Sequence, residues 1–170
     1  MLNTESPSTR HTELDLYATA DLVSALVEDQ VHAVDAVRSA GAELARAVDA
    51  AVPRMQQGGR LIYAGAGTSG RLGVLDSVEL YPTFSWPHDR AIGLLAGGAD
   101  AMFTAVEGAE DDAAQGARDM QAVHVTANDV VLLLAASGAT PYVMGALQAA
   151  RSAGALTVGF ANNPDAPLTQ

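Results

Sequence analysis

Thr68 and Ser69 stand inside a glycine-rich hexapeptide, Gly65-Ala-Gly-Thr-Ser-Gly70, and Ser137 and Thr140 stand in a second small-residue turn, Ser137-Gly-Ala-Thr140. Hydroxyl donors beside glycines suit an anion. Glycine lets the backbone approach closely, and a helix N-terminus adds unpaired N–H groups and a positive dipole end. Either turn alone also fits an ordinary tight turn or helix cap; the pair points to a phosphate cradle. The Gly-Lys-Ser/Thr ending of a Walker A loop is absent. Gly65, Gly67 and Gly70 meet the spacing Gly-x-Gly-x-x-Gly, so a dinucleotide stays open. The apolar run at 91–96 ends in Ala-Gly-Gly, however, without the acidic residue that a ribose needs.

Carboxylates supply the second kind of chemistry. Glu79 falls about three turns into the helix expected after the first turn, close before Pro82. A helix C-terminus favours a carboxyl that keeps its proton, as a general acid must. An exposed surface glutamate is the plainer reading. Glu107, Glu110, Asp111 and Asp112 crowd one turn. Desolvated, they would raise one another's pKa; spacing alone favours a solvated turn in which Asp111 or Asp112 caps the next helix. His11, His32, His88 and His124 show no metal-ligand spacing, and no metal is expected.

The positioning elements follow from hydrophobic pattern. Residues 61–64, 91–96, 129–136 and 155–160 are apolar runs of strand length. Helical segments lie between them: after the turn at 65–70 through Glu79, short at 100–106, at 113–122, and from Pro141 through Arg151. Two prolines make 81–88 read as a loop. Alternating strands and helices predict an α/β fold, a doubly wound, mostly parallel sheet with flanking helices. Both hydroxyl turns follow strand carboxyl ends, where such sheets bind ligands. Ahead of this unit (57–170), residues 1–56 form an N-terminal tail and helical segment. Val27, Val31, Val34, Val37, Leu44, Val48 and Val52 recur at helical spacing over 18–56, Asp21 is a candidate cap, and Pro53 with Gly58-Gly59 closes the segment. Residues 1–14 read as a loose tail, or one draped on a neighbouring subunit.

Composition bounds the function. The chain has 170 residues, 49% hydrophobic and 17% charged, with net charge −11. That describes a globular domain and disfavours nucleic acid or an anionic membrane as partner. No cysteine is present, which excludes disulfides and a cysteine nucleophile and fits a cytoplasmic protein. The N-terminus lacks the apolar stretch of a signal peptide, and no run is long enough for a membrane span.

Motifs throughout the chain resemble one family. Gly58 through Glu79, Pro82-Thr83, Ala96-Gly-Gly98, Ala105-Val-Glu-Gly-Ala-Glu-Asp-Asp112 and Ala136-Ser-Gly-Ala-Thr-Pro-Tyr-Val143 resemble N-acetylmuramic acid 6-phosphate etherases, as do Leu2-Asn-Thr-Glu5, Leu14-Asp15 and Glu28-Asp29. The resemblance implies a sugar-isomerase (SIS) sandwich, a cytoplasmic homodimer, a phosphosugar substrate and no cofactor. It implies release of D-lactate from N-acetylmuramic acid 6-phosphate by elimination and hydration, with Glu79 as proton donor and Glu110 as a further acid/base group. Gly67, Thr68, Ser69, Ser137, Gly138 and Thr140 match phosphosugar-binding positions. The chain departs from the family pattern at Ala139, where arginine is usual, and at Tyr81, where proline is usual. The family's sequence also continues beyond the point matching Gln170, so the fold is expected to be incomplete at the C-terminus. A phosphosugar-binding module without catalysis, and an isomerase of the same fold, are the competing readings.

Overall fold

The four apolar runs form four parallel strands. In this computed structural model, which describes residues 3–170, they are β1 (Leu61–Gly65), β2 (Ala91–Leu95), β3 (Val130–Leu134) and β4 (Leu156–Phe160). Their order in the sheet is β2-β1-β3-β4. The chain steps one way from β1 to β2 and the other way to β3, which sets a switch point between the carboxyl ends of β1 and β3. Registers pair Gly65 with Leu95 on one side and with Leu134 on the other.

Helices cover both faces. α3 (Gly67–Phe84) packs on β1 and β2, and Tyr63 meets it by donating a hydrogen bond to Asp76 Oδ2 at 2.6 Å. Burial, then the bond to Asp76 and its charge, push the Tyr63 phenol above its ordinary value. On the opposite face, Ile62, Ala64, Val131 and Leu133 join a buried cluster with Met120 of α4 (Ala113–Ala122) and Tyr142, Val143, Ala146 and Leu147 of α5 (Pro141–Ser152). Each such large apolar side chain contributes about 1.5–3 kcal/mol by leaving water. Asp112 caps α4 by accepting from the Gln115 N–H at 2.8 Å, and Pro141 occupies the first turn of α5.

A charge pair ties the amino ends of the central strands. Asp129, 2% exposed, accepts from Arg60 Nη2 at 2.7 Å, and also from the backbone N–H groups of Arg60 and Thr126. Burial pushes the Asp129 carboxyl up, but the bonds from Arg60 and Thr126 and the Arg60 charge outweigh it, and the net shift is downward.

Several expectations change in the structure. Residues 81–84 are not loop: α3 continues through Pro82 and stops where Ser85 turns left-handed at φ 54°. Bonds from the Ser85 and Trp86 N–H groups to Tyr81 and Leu80 carbonyls close that end. Pro82 removes a single bond near the terminus, and the left-handed residue decides the stop. Pro53 likewise lies inside α2 (Gly41–Gln56). α1 (Thr19–Ser39) starts before Asp21, with Ala18 at the cap position, so Asp21 sits in the first turn instead. The short helical stretch at 100–106 is only a 3-10 turn, Ala99–Met102. The tail is not loose over its described part. Thr4 lies in a 3-10 turn, Asn3–Glu5, and its N–H donates to Asn163 Oδ1 at 3.2 Å. Met1 and Leu2 lie outside the described residues.

Candidate functional site

Strand ends and helix starts build one crevice. Its volume is about 590 Å³, and it lies at the switch point between β1 and β3. Gly67, Thr68 and Ser69 of the first turn line it, as do Ser137, Ala139, Thr140 and Pro141 of the second. Glu110 and Asp111, Thr4 and Glu5 complete the described wall.

The helix starts here are unsealed. α3 has Ala66 at its cap position and no side-chain cap, and among the described residues the Thr68 and Ser69 hydroxyls have no protein partner. Gly67 turns at φ +55°, while Gly65 and Gly70 allow close packing between turn and helix. Thr140 is the cap residue of α5, yet its hydroxyl does not cap; it lies 3.3 Å from Ser137 Oγ. Gly138 is buried, turns at φ +72° and shapes the second turn rather than lining the crevice. Uncapped amides and hydroxyls are what an oxyanion requires of such a surface. No Lys or Arg is among the residues lining this crevice, and three carboxylates are: Glu5, Glu110 and Asp111. An anion held here depends on N–H and O–H donors, since Ala139 faces the crevice without a charge.

Glu79 is elsewhere. It is exposed on α3, more than a full turn before the helix ends at Phe84, and outside the crevice lining. The placement at the helix terminus is therefore corrected, because α3 runs on through Pro82. On the same helix Leu72, Leu75, Val78 and Tyr81 are half or more exposed. Glu79 and Glu110 are not brought together in a single chain.

Residues at both ends of the chain add to the site without having been singled out. Asn163 is 5% exposed and holds two parts of the wall. Its Nδ2 donates to Thr4 Oγ1 at 3.0 Å and to the Ser137 carbonyl at 3.0 Å. This brings Glu5 to the crevice. A smaller recess of about 190 Å³ adjoins, sharing Ala66, Gly67 and Glu110 and lined also by Arg71. Among the described residues no group of three or more His, Asp or Glu side chains is placed to hold a metal ion. No helix among them is long and apolar enough to cross a membrane.

Comparison with known proteins agrees with this geometry. The family profile for the glucokinase regulatory protein N-terminal SIS domain matches residues 43–151. N-acetylmuramic acid 6-phosphate etherase of Deinococcus radiodurans is 58% identical over 165 residues, which cover 97% of this chain and 54% of that protein. The etherase of Yersinia pestis is 50% identical over 169 residues, covering 99% and 57%. The chain thus spans about half the length of the curated relatives it matches. A phosphoheptose isomerase from Francisella tularensis superposes with TM-score 0.68 at 20% identity over 89% of this chain and 80% of that one, a likeness of fold. The chain belongs to the SIS-domain family.

Proposed function

We propose that this chain supplies the phosphosugar crevice of an N-acetylmuramic acid 6-phosphate etherase. The observation that carries the reading is the meeting of two uncapped, hydroxyl-bearing turns with Glu110 at the switch point. The phosphate lies against Gly67, Thr68, Ser69, Ser137 and Thr140, with Gly138 holding the second turn. A base removes the proton at C2, the C3–oxygen bond breaks, and the departing lactate oxygen takes a proton. Water then adds across the double bond, giving N-acetylglucosamine 6-phosphate and D-lactate. Glu79 is assigned the proton donation and Glu110 the further acid/base work, in accord with carboxylates as general acids and bases. Both roles come from the family pattern.

A homodimer fits the same reading. Leu72, Leu75 and Val78 are 51–60% exposed on α3 and lie on or beside the face of the helix that carries Glu79. An apolar surface of this kind marks a contact face. The reaction belongs in the cytoplasm, where recycled peptidoglycan sugar is handled.

Release of D-lactate from N-acetylmuramic acid 6-phosphate tests the activity. Ala139 in the crevice favours one competitor, a phosphosugar-binding module without catalysis. Thermal stabilisation by N-acetylglucosamine 6-phosphate without lactate release would select it. No response to either phosphosugar would sink both readings.

A further inference from the structure

The crevice has hydroxyls and amides for one anion, but N-acetylmuramic acid 6-phosphate carries two: the phosphate and the lactyl carboxylate. We propose that Arg71, in the recess beside the crevice, receives the lactyl carboxylate and so selects the ether-bearing substrate. This rests on the etherase reading and names a recognition residue for it. Three observations carry it. Arg71 is the one cation among the described residues lining either cavity. Its Nε donates to the Ala101 carbonyl at 2.9 Å, which fixes the guanidinium plane, while its Nη nitrogens have no partner among the described residues. None of the ion pairs among those residues includes it. A half-buried, oriented, unpaired guanidinium presents the fork that a carboxylate fits.

The position of Glu110 gives the assignment its chemical sense. Glu110 borders both cavities, as do Ala66 and Gly67. A sugar with its phosphate on the hydroxyl turns and its lactyl carboxylate on Arg71 therefore passes its C3 ether across the boundary where Glu110 stands. Glu107 also lines the recess, so the recess is acidic and a second anion enters it only against the Arg71 charge.

Isothermal titration of the wild type, Arg71→Gln and Arg71→Lys tests the proposal, with N-acetylmuramic acid 6-phosphate and with N-acetylglucosamine 6-phosphate, which lacks the lactyl group. Arg71→Gln is expected to weaken the first ligand by about 10–100-fold, as for loss of hydrogen bonds to a charged group, and to leave the second within about twofold. Arg71→Lys should fall between, since an ammonium keeps the charge and loses the fork. Equal weakening of both ligands, or of neither, would overturn the assignment while leaving the phosphosugar crevice intact. If the wild type binds neither ligand, the crevice reading itself fails and Arg71 falls with it.

Discussion

Gly65 and Gly70 are packed so closely that neither has room for a side chain. A Cβ on Gly65 would stand 2.6 Å from the Gly70 Cα, and one on Gly70 would stand 2.5 Å from the Gly65 carbonyl carbon. Turn and helix are locked together directly beside the crevice-lining residues Ala66 to Ser69. Gly70→Ala should therefore destabilise the fold by about 1–3 kcal/mol, the range for overpacking a filled site. It should also remove the stabilisation conferred by N-acetylglucosamine 6-phosphate. Thermal melts with and without that ligand check both effects, and an unchanged ligand shift would place the anion elsewhere.

Glu110→Gln keeps the shape of the crevice wall and removes the carboxylate to which the proposal assigns acid/base work. Turnover should fall by about 10²–10⁴-fold, the usual range for such a group, with phosphosugar affinity little changed. Glu79→Gln should produce a comparable loss. If lactate release from the Glu79→Gln protein matches the wild type, the proton-donor assignment is wrong.

The exposed α3 face makes a separate prediction. Leu75→Glu with Val78→Glu should convert a dimer to a monomer in sedimentation experiments, and activity should fall with it, because Glu79 stands on the same side of that helix. A wild type that sediments as a monomer would remove the homodimer from the reading.

Asp129 links stability to pH. Its carboxyl is held below its ordinary value, so folding gains from its ionisation at any pH above the unfolded carboxylate range near 4. The gain is lost as pH falls through the lower folded value. Asp129→Ala leaves Arg60 without its partner and should cost about 3 kcal/mol at neutral pH, toward the low end for broken buried pairs because Arg60 is 24% exposed. Denaturant melts at pH 7 and pH 3 should show the wild-type advantage shrinking at the lower pH.

Asn163→Ala should free the N-terminal segment without unfolding the sheet. The cost is about 1–2 kcal/mol for the lost bonds, and limited proteolysis should then cut ahead of α1 first. Thr4→Val removes only the bond from Asn163 Nδ2 to the Thr4 hydroxyl and keeps the Thr4 N–H donor, so it should give a partial gain in proteolysis with a smaller change in Tm.

The sheet was legible because its information is local. Apolar runs of strand length, ended by glycine, serine or asparagine, mark β1 to β4, and their alternation with helices fixes parallel order. Both crevice turns could be read for the same reason, since each follows a strand end. Helix ends were harder. Pro82 reads as a breaker, yet Ser85 and the contacts of Trp86, whose Nε1 donates to the Arg90 carbonyl, set where α3 stops. The wall from Thr4 and Glu5 could not be read from neighbouring residues at all, because Thr4 and Asn163 meet across 159 positions. That Asn163 grips two walls of the site depends on burial that no local pattern encodes. Arg71 lies within the Gly58–Glu79 motif, but its neighbours across the recess come from residues 95–110, so its role is not legible from its own stretch.

The central place of β1 also fixes when the site comes into being. Its partner β2 is the next strand in the chain, but β3 joins only by closing a span such as that from Arg60 to Asp129, 69 residues. Long closures are late and slow steps of folding. A chain that has assembled β1, α3 and β2 owns one anion turn and no crevice. A sugar phosphate that bridges both turns therefore grips only states beyond that closure. It retards unfolding and leaves the folding rate alone, which makes the ligand a clasp on the finished sheet.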